Sequence, residues 1–128
     1  MRRVAFLFLL CIIALPGYAS AAPQQKYVVF FQEWSAKLDK AALAVIGHAS
    51  AFAKAHPMDT VHVNAFADPT GSRAANNLLT ELRAQVVMDK LQADSVAAAS
   101  IVGRGNGSVQ FALNSVESRR VEISIGGD

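Results

Sequence analysis

Apolar and polar residues alternate or recur with readable periods along most of this chain. The segment "QKYVVFF", ending at Phe31, is rich in β-branched and aromatic residues and predicts a strand. In the following segment Leu38, Ala42, Val45, Ala49 and Phe52 recur at three- and four-residue spacing, widened by Ala41, Ile46 and Ala53. That spacing predicts a helix with one buried face, capped by Ser35 and closed by Pro57. "DTVHVNAFA" alternates Val61, Val63 and Ala65 against His62, Asn64 and Phe66, the period of a strand. After the Pro-Thr-Gly turn of "ADPTGSRAANNLLTELRAQVV" a second helix is expected. Its apolar ridge is Leu78, Leu82 and Val86, joined by Leu79, Val87 and Leu91, with Asn76, Thr80 and Arg83 on the opposite, polar side. "ASIVG" predicts a short strand, "RGNGSVQFALNSVES" a polar connection, and "RRVEISI" a last strand. The order is β-α-β-α-β-β, an α+β class of two helices packed on one small mixed sheet.

The N-terminus breaks this pattern. Residues 4–15 form an unbroken apolar run behind Arg2 and Arg3 and ahead of the small residues "YASAA". Twelve residues are short of the roughly 18 that span a bilayer, and the arrangement reads as a secretory signal peptide over residues 1–22, cleaved after Ala21 or Ala22. One domain over residues 23–128 remains. Without Arg2 and Arg3, the 12 basic residues fall to 10, equal to the 10 acids. A neutral mature chain gives no basic surplus for nucleic acid. The sole cysteine, Cys11, lies in the leader behind Leu9 and Leu10 rather than the small residues that lipidation requires. The mature chain is left with no thiol for a disulfide, a Cys-ligated metal or nucleophilic catalysis. Roughly 106 residues suffice for a modest core without staples.

Little supports catalysis. His48, His56 and His62 are scattered; the first two are eight apart, not the four of a helical zinc pair. "GRGNG" lacks the strand, helix and lysine of a phosphate loop. The expectation is a non-enzyme without metal or cofactor. The informative stretch is "ADPTGSRAANNLLTELRAQVV". Asp68 precedes a Pro-Thr-Gly turn, and Asn76 and Arg83 follow on one helix, about 11 Å apart at 1.5 Å per residue. Taken singly, Asp68 reads as a turn or helix-end acid, Asn76 as a surface residue and Arg83 as a snorkelling arginine. Taken together they would line a groove suited to a zwitterion, carboxylate against ammonium and guanidinium against carboxylate.

This layout resembles the OmpA-like peptidoglycan-binding domain family, whose motif runs roughly G-H-T-D-x-x-G-x-x-x-x-N-x-x-L-S-x-x-R-A-x-x-V. Asp68, Gly71, Asn76, Leu79, Arg83, Ala84 and Val87 match in register, and Thr80 stands for the serine. "SRRVEI" resembles the family's "NRRVEI", and "FFQEWSAKLDKAA" its opening "FFDFDSAxLxxxA". The chain departs at Ala65, Phe66 and Ala67, which replace Gly, His and Thr, and at Gln32 and Trp34, which replace acids. The resemblance implies a non-catalytic periplasmic domain of a Gram-negative envelope, associated with the cell wall or outer membrane. Its implied ligand is peptidoglycan, held through the diaminopimelate of the stem peptide by Asp68 and Arg83, with Asn76, Thr80 and Arg119 supporting. Envelope or outer-membrane proteins are further implied partners. Trp34 either walls the groove or belongs to the core, and is read as core. The alternative is a scaffold of the same fold that has lost wall binding and serves as a protein-interaction module.

Overall fold

The computed structural model describes residues 24–108 and 118–127. The leader, and residues 109–117 of the expected polar connection, lie outside the described residues. Strand β1 (Gln25–Phe30) is followed by helix α1 (Lys40–Ala55), strand β2 (Val61–Ala67), helix α2 (Arg73–Ala93), a 3-10 turn (Ala98–Ser100), strand β3 (Ile101–Ser108) and strand β4 (Arg120–Ile125). The sheet order is β1-β4-β2-β3. β4 pairs antiparallel with β1 and β2, while β3 runs parallel to β2, so the sheet is mixed as expected.

β-branched residues at every second position make the sheet's buried face: Val61, Val63 and Ala65 of β2 and Val121, Ile123 and Ile125 of β4. Both helices cover that face, with Ile46 and Ala49 of α1 and Val87 and Leu91 of α2 packed in the same core. At about 25 cal/mol per Å² of apolar surface removed from water, this layer is the main stabilising contribution. α2 approaches β3 closely. A Cβ on Gly105 would lie 2.6 Å from the backbone nitrogen of Glu81, so only glycine permits this helix–strand distance.

Three expectations need correction. α1 begins four residues later than expected: Asp39, not Ser35, caps it by accepting from the Ala42 amide at 2.8 Å. A side-chain oxygen at this position satisfies one of the helix's unpaired amides. β3 extends through the Gly-rich segment as far as Ser108, because the parallel ladder with β2 continues over residues assigned to a connection.

The third correction concerns the faces of α2. Its buried residues are Asn76, Thr80, Arg83, Ala84, Val87 and Leu91, whereas Leu78 and Leu82 are 68% and 53% exposed. The polar row faces inward in the N-terminal half of the helix. There the helix passes over loop and strand ends, whose backbone carbonyls and amides need partners that leucine cannot supply. Farther along it crosses the sheet itself, and there its inner face is apolar.

Candidate functional site

The site lies where β2 ends and α2 begins, at a shift of the β2–β3 register between Ala65 and Ala67. Three charged side chains converge there, from three separate parts of the chain. Asp68 follows β2, Arg83 projects from α2, and Arg119 stands just before β4. The Arg119 Nη1 donates to Asp68 Oδ2 at 3.2 Å, and its Nε donates to the Phe31 carbonyl at 3.2 Å. The pair is largely withdrawn from solvent, with side chains 12% and 8% exposed. Thr70 donates its hydroxyl to the other Asp68 oxygen at 2.5 Å. Burial pushes the Asp68 carboxyl up, but the bonds from Thr70 and Arg119 and the Arg119 charge outweigh it. The acid is held below the ordinary carboxylate value of 3.8.

Arg83 is fully buried. Its Nε donates to the Ser35 carbonyl at 2.8 Å and its Nη2 to the Gln32 carbonyl at 2.9 Å. The guanidinium carbon lies 5.1 Å from the centre of the Phe31 ring, within cation–π reach. Desolvation, with repulsion from Arg119 against attraction from Asp68, lowers its pKa to about 10; it stays charged at neutral pH. Its Nη1 is buried without a hydrogen-bond partner among the described residues. A guanidinium nitrogen taken from water without an acceptor is costly. Around the cavity two guanidinium groups, of Arg83 and Arg119, are balanced by two acidic side chains, Asp68 and Glu33.

Asn76 and Thr80 have a different part. The Asn76 amide donates to the Thr70 carbonyl at 2.8 Å, to Ser108 Oγ at 2.6 Å and, at 3.4 Å, to the Asp68 carbonyl. It ties the loop after β2 to the end of β3. The Thr80 hydroxyl donates to the Asn77 carbonyl and accepts from the Gly107 amide, each at 3.0 Å. With these bonds made, both residues are anchors for the segments that carry Asp68.

Glu33, Trp34, Ala67, Asp68, Asn76, Leu79, Arg83 and Arg119 surround a cavity of only about 10 Å³, space for roughly one water molecule. The groove expected between the charges is therefore narrowed to a small, partly open cleft in this conformation. Trp34 is not core but takes the other place open to it, at the wall: it is 53% exposed and forms one side of that cavity. The loop carbonyls of Gln32 and Ser35, the Thr70 hydroxyl and Ser108 also belong to the network. The Thr in "DPT", two residues after the acid, was the one readable signal for any of them. Phe66 does not face Asp68; it lies on the other side of the sheet, 4.3 Å from the Arg120 guanidinium.

The OmpA family model matches residues 30–122. The chain belongs to the OmpA family. Its fold is similar to the peptidoglycan-associated lipoprotein from Burkholderia pseudomallei, with a TM-score of 0.73 and 21% identity over 77% of this chain and 89% of that one. It is also similar to the OmpA-like domain of FopA1 from Francisella tularensis (TM-score 0.71, 21% identity, 80% and 72% covered). The C-terminal domain of Helicobacter pylori MotB matches as well (TM-score 0.70, 21% identity, 81% and 85% covered). At these identities the likeness establishes the fold. No curated protein matches the chain. Among the described residues no helix of this OmpA-family domain is long and apolar enough to cross a membrane, and no group of three or more His, Cys, Asp or Glu side chains is placed to hold a metal.

Proposed function

We propose that this OmpA-family domain binds peptidoglycan without catalysing a reaction, recognising the free amino-acid end of diaminopimelate in the stem peptide. The observation that carries the reading is the buried Arg83 Nη1, the guanidinium nitrogen left without an acceptor among the described residues. A ligand carboxylate is the acceptor whose charge and geometry match it. Asp68 already accepts from Thr70 and Arg119, yet an ionised carboxylate offers about four lone-pair directions. A ligand ammonium would share Asp68 with Arg119, with Glu33 at the cavity wall as a second acid. The balance of two acids and two guanidinium groups suits a ligand that brings both a carboxylate and an amine. Asn76 and Thr80 hold the frame rather than the ligand. Solved relatives include a protein described as a peptidoglycan-associated lipoprotein, which supports the same ligand class. The reading carries the leader with it: residues 1–22 direct export to the periplasm and are removed, and residues 23–128 work at the cell wall or outer membrane.

The small size of the cavity favours a second reading, in which the fold persists as a scaffold for envelope proteins and wall binding has been lost. Co-sedimentation of the mature protein with purified diaminopimelate-type sacculi separates the two. Retention in the pellet supports wall binding, and protein left wholly in the supernatant supports the scaffold.

A further inference from the structure

Trp34 is the only tryptophan of the chain, and it stands at the mouth of the Arg83 cavity. Its backbone has φ 53°, a left-handed conformation that a bulky side chain adopts only under external constraint. The constraint is visible. The Arg83 guanidinium donates to the carbonyls of Gln32 and Ser35, which bracket Trp34 in the sequence. The indole lies against Gly71, where a Cβ would come within 2.3 Å of the ring's Cη2. Gly71 has φ 83°, so glycine there serves both the turn and the ring above it. Half of the indole faces solvent, and the space it encloses with Asp68, Arg83 and Arg119 is about 10 Å³.

We infer that Trp34 is a movable roof over the Arg83 pocket and that it sets the affinity and specificity of that pocket for an amino-acid head group. The inference rests on the wall-binding reading and adds to it the residue that governs access. A head group with a carboxylate and an ammonium does not fit in a space for one water. The ligand reaches Arg83 Nη1 only after the indole leaves Gly71. The indole can swing while Arg83 keeps its bonds to the carbonyls of Gln32 and Ser35, because those bonds hold the backbone and half of the ring already faces solvent. One guanidinium holds the loop that carries the roof and takes the ligand carboxylate, so opening and binding share a common group. While the closed form dominates, the apparent affinity is lowered by the fraction of molecules that are open.

The test uses the soluble tripeptide L-Ala–γ-D-Glu–meso-diaminopimelate and the full mature chain. In stopped-flow fluorescence of wild type, the single indole should change emission on binding, and the observed rate should level off as the tripeptide concentration rises, because opening becomes limiting. In calorimetry, Trp34→Ala should bind about ten-fold more tightly than wild type, since no roof remains to displace, and Trp34→Phe should fall between them. Binding by Trp34→Ala alone also supports the roof. Equal or weaker affinity of Trp34→Ala, or binding by wild type without an emission change, overturns it while leaving wall binding intact. If no variant binds the tripeptide, the wall-binding reading fails and the roof fails with it.

Discussion

Substituting Arg83 and Leu82 separately reverses the stability order that their polarity would lead one to expect. Arg83→Ala removes two charge-assisted hydrogen bonds, of 2.8 and 2.9 Å, to the carbonyls of Ser35 and Gln32. It also empties the space beside the Phe31 ring. Each such bond contributes roughly 1.5–3 kcal/mol. Release from the desolvation of a buried charge offsets part of that loss. The net expectation is about 2–4 kcal/mol of destabilisation. Leu82 is 53% exposed. Leu82→Ala therefore forfeits about half of the ~2 kcal/mol for a fully buried leucine, and alanine's higher helix propensity returns a few tenths. Its cost should stay below about 1 kcal/mol. Urea unfolding of the mature protein, followed by circular dichroism, measures both from the midpoint and slope. Equal losses, or a larger loss for Leu82→Ala, would refute the assignment of the inward face of α2.

Gly105→Ala should destabilise by about 1–3 kcal/mol, seen as a lower melting temperature, because the new Cβ meets backbone atoms of Glu81 and Thr80. Asp68 has a folded pKa below its unfolded 3.8, so the stability from its ionised form is complete above 3.8 and is lost as pH falls through the lower folded value. The acid slope of the unfolding free energy should consequently be shallower in Asp68→Asn than in wild type, and equal slopes would exclude this role for Asp68. Intact mass of protein from the native envelope should correspond to a chain starting at Ala22 or Pro23; a retained leader, or a lipid on Cys11, would contradict export as a free domain.

Element type and order were readable because β-branched alternation and helical spacing report burial directly: Val61, Val63 and Ala65, or Ile46 and Ala49, lie on the faces their periodicity indicated. The same rule misplaced the first half of α2. There the burial partners are backbone groups of the segments around 31–35, 67–72 and 107–108, which hydropathy does not encode, so Asn76, Thr80 and Arg83 went inward and Leu78 and Leu82 outward. Gly-rich β3 escaped because its long ladder follows from pairing with β2 and from close approach to α2, not from its own propensity. At the site, Asp68 and Arg83 were legible as a pair because acid and guanidinium at motif spacing carry their chemistry in the residue type, while Arg119 was only a subsidiary candidate and Asn76, expected beside the ligand, bonds to the frame. Closure by Trp34 was not, since a positive φ and a ring resting on Gly71 are tertiary facts.

The central claim is recognition of a carboxylate by the buried guanidinium of Arg83. It is tested most directly by calorimetric titration of the mature protein with two tripeptides that differ only at the third residue, meso-diaminopimelate in one and L-lysine in the other. The lysine peptide keeps the side-chain amine and lacks the carboxylate on the same carbon. Loss of a charge-assisted bond of roughly 1.5–3 kcal/mol corresponds to a drop in affinity of about ten- to a hundred-fold, so the diaminopimelate peptide should bind more tightly by that factor. Equal affinity for the two peptides, or no binding of either, would contradict the account.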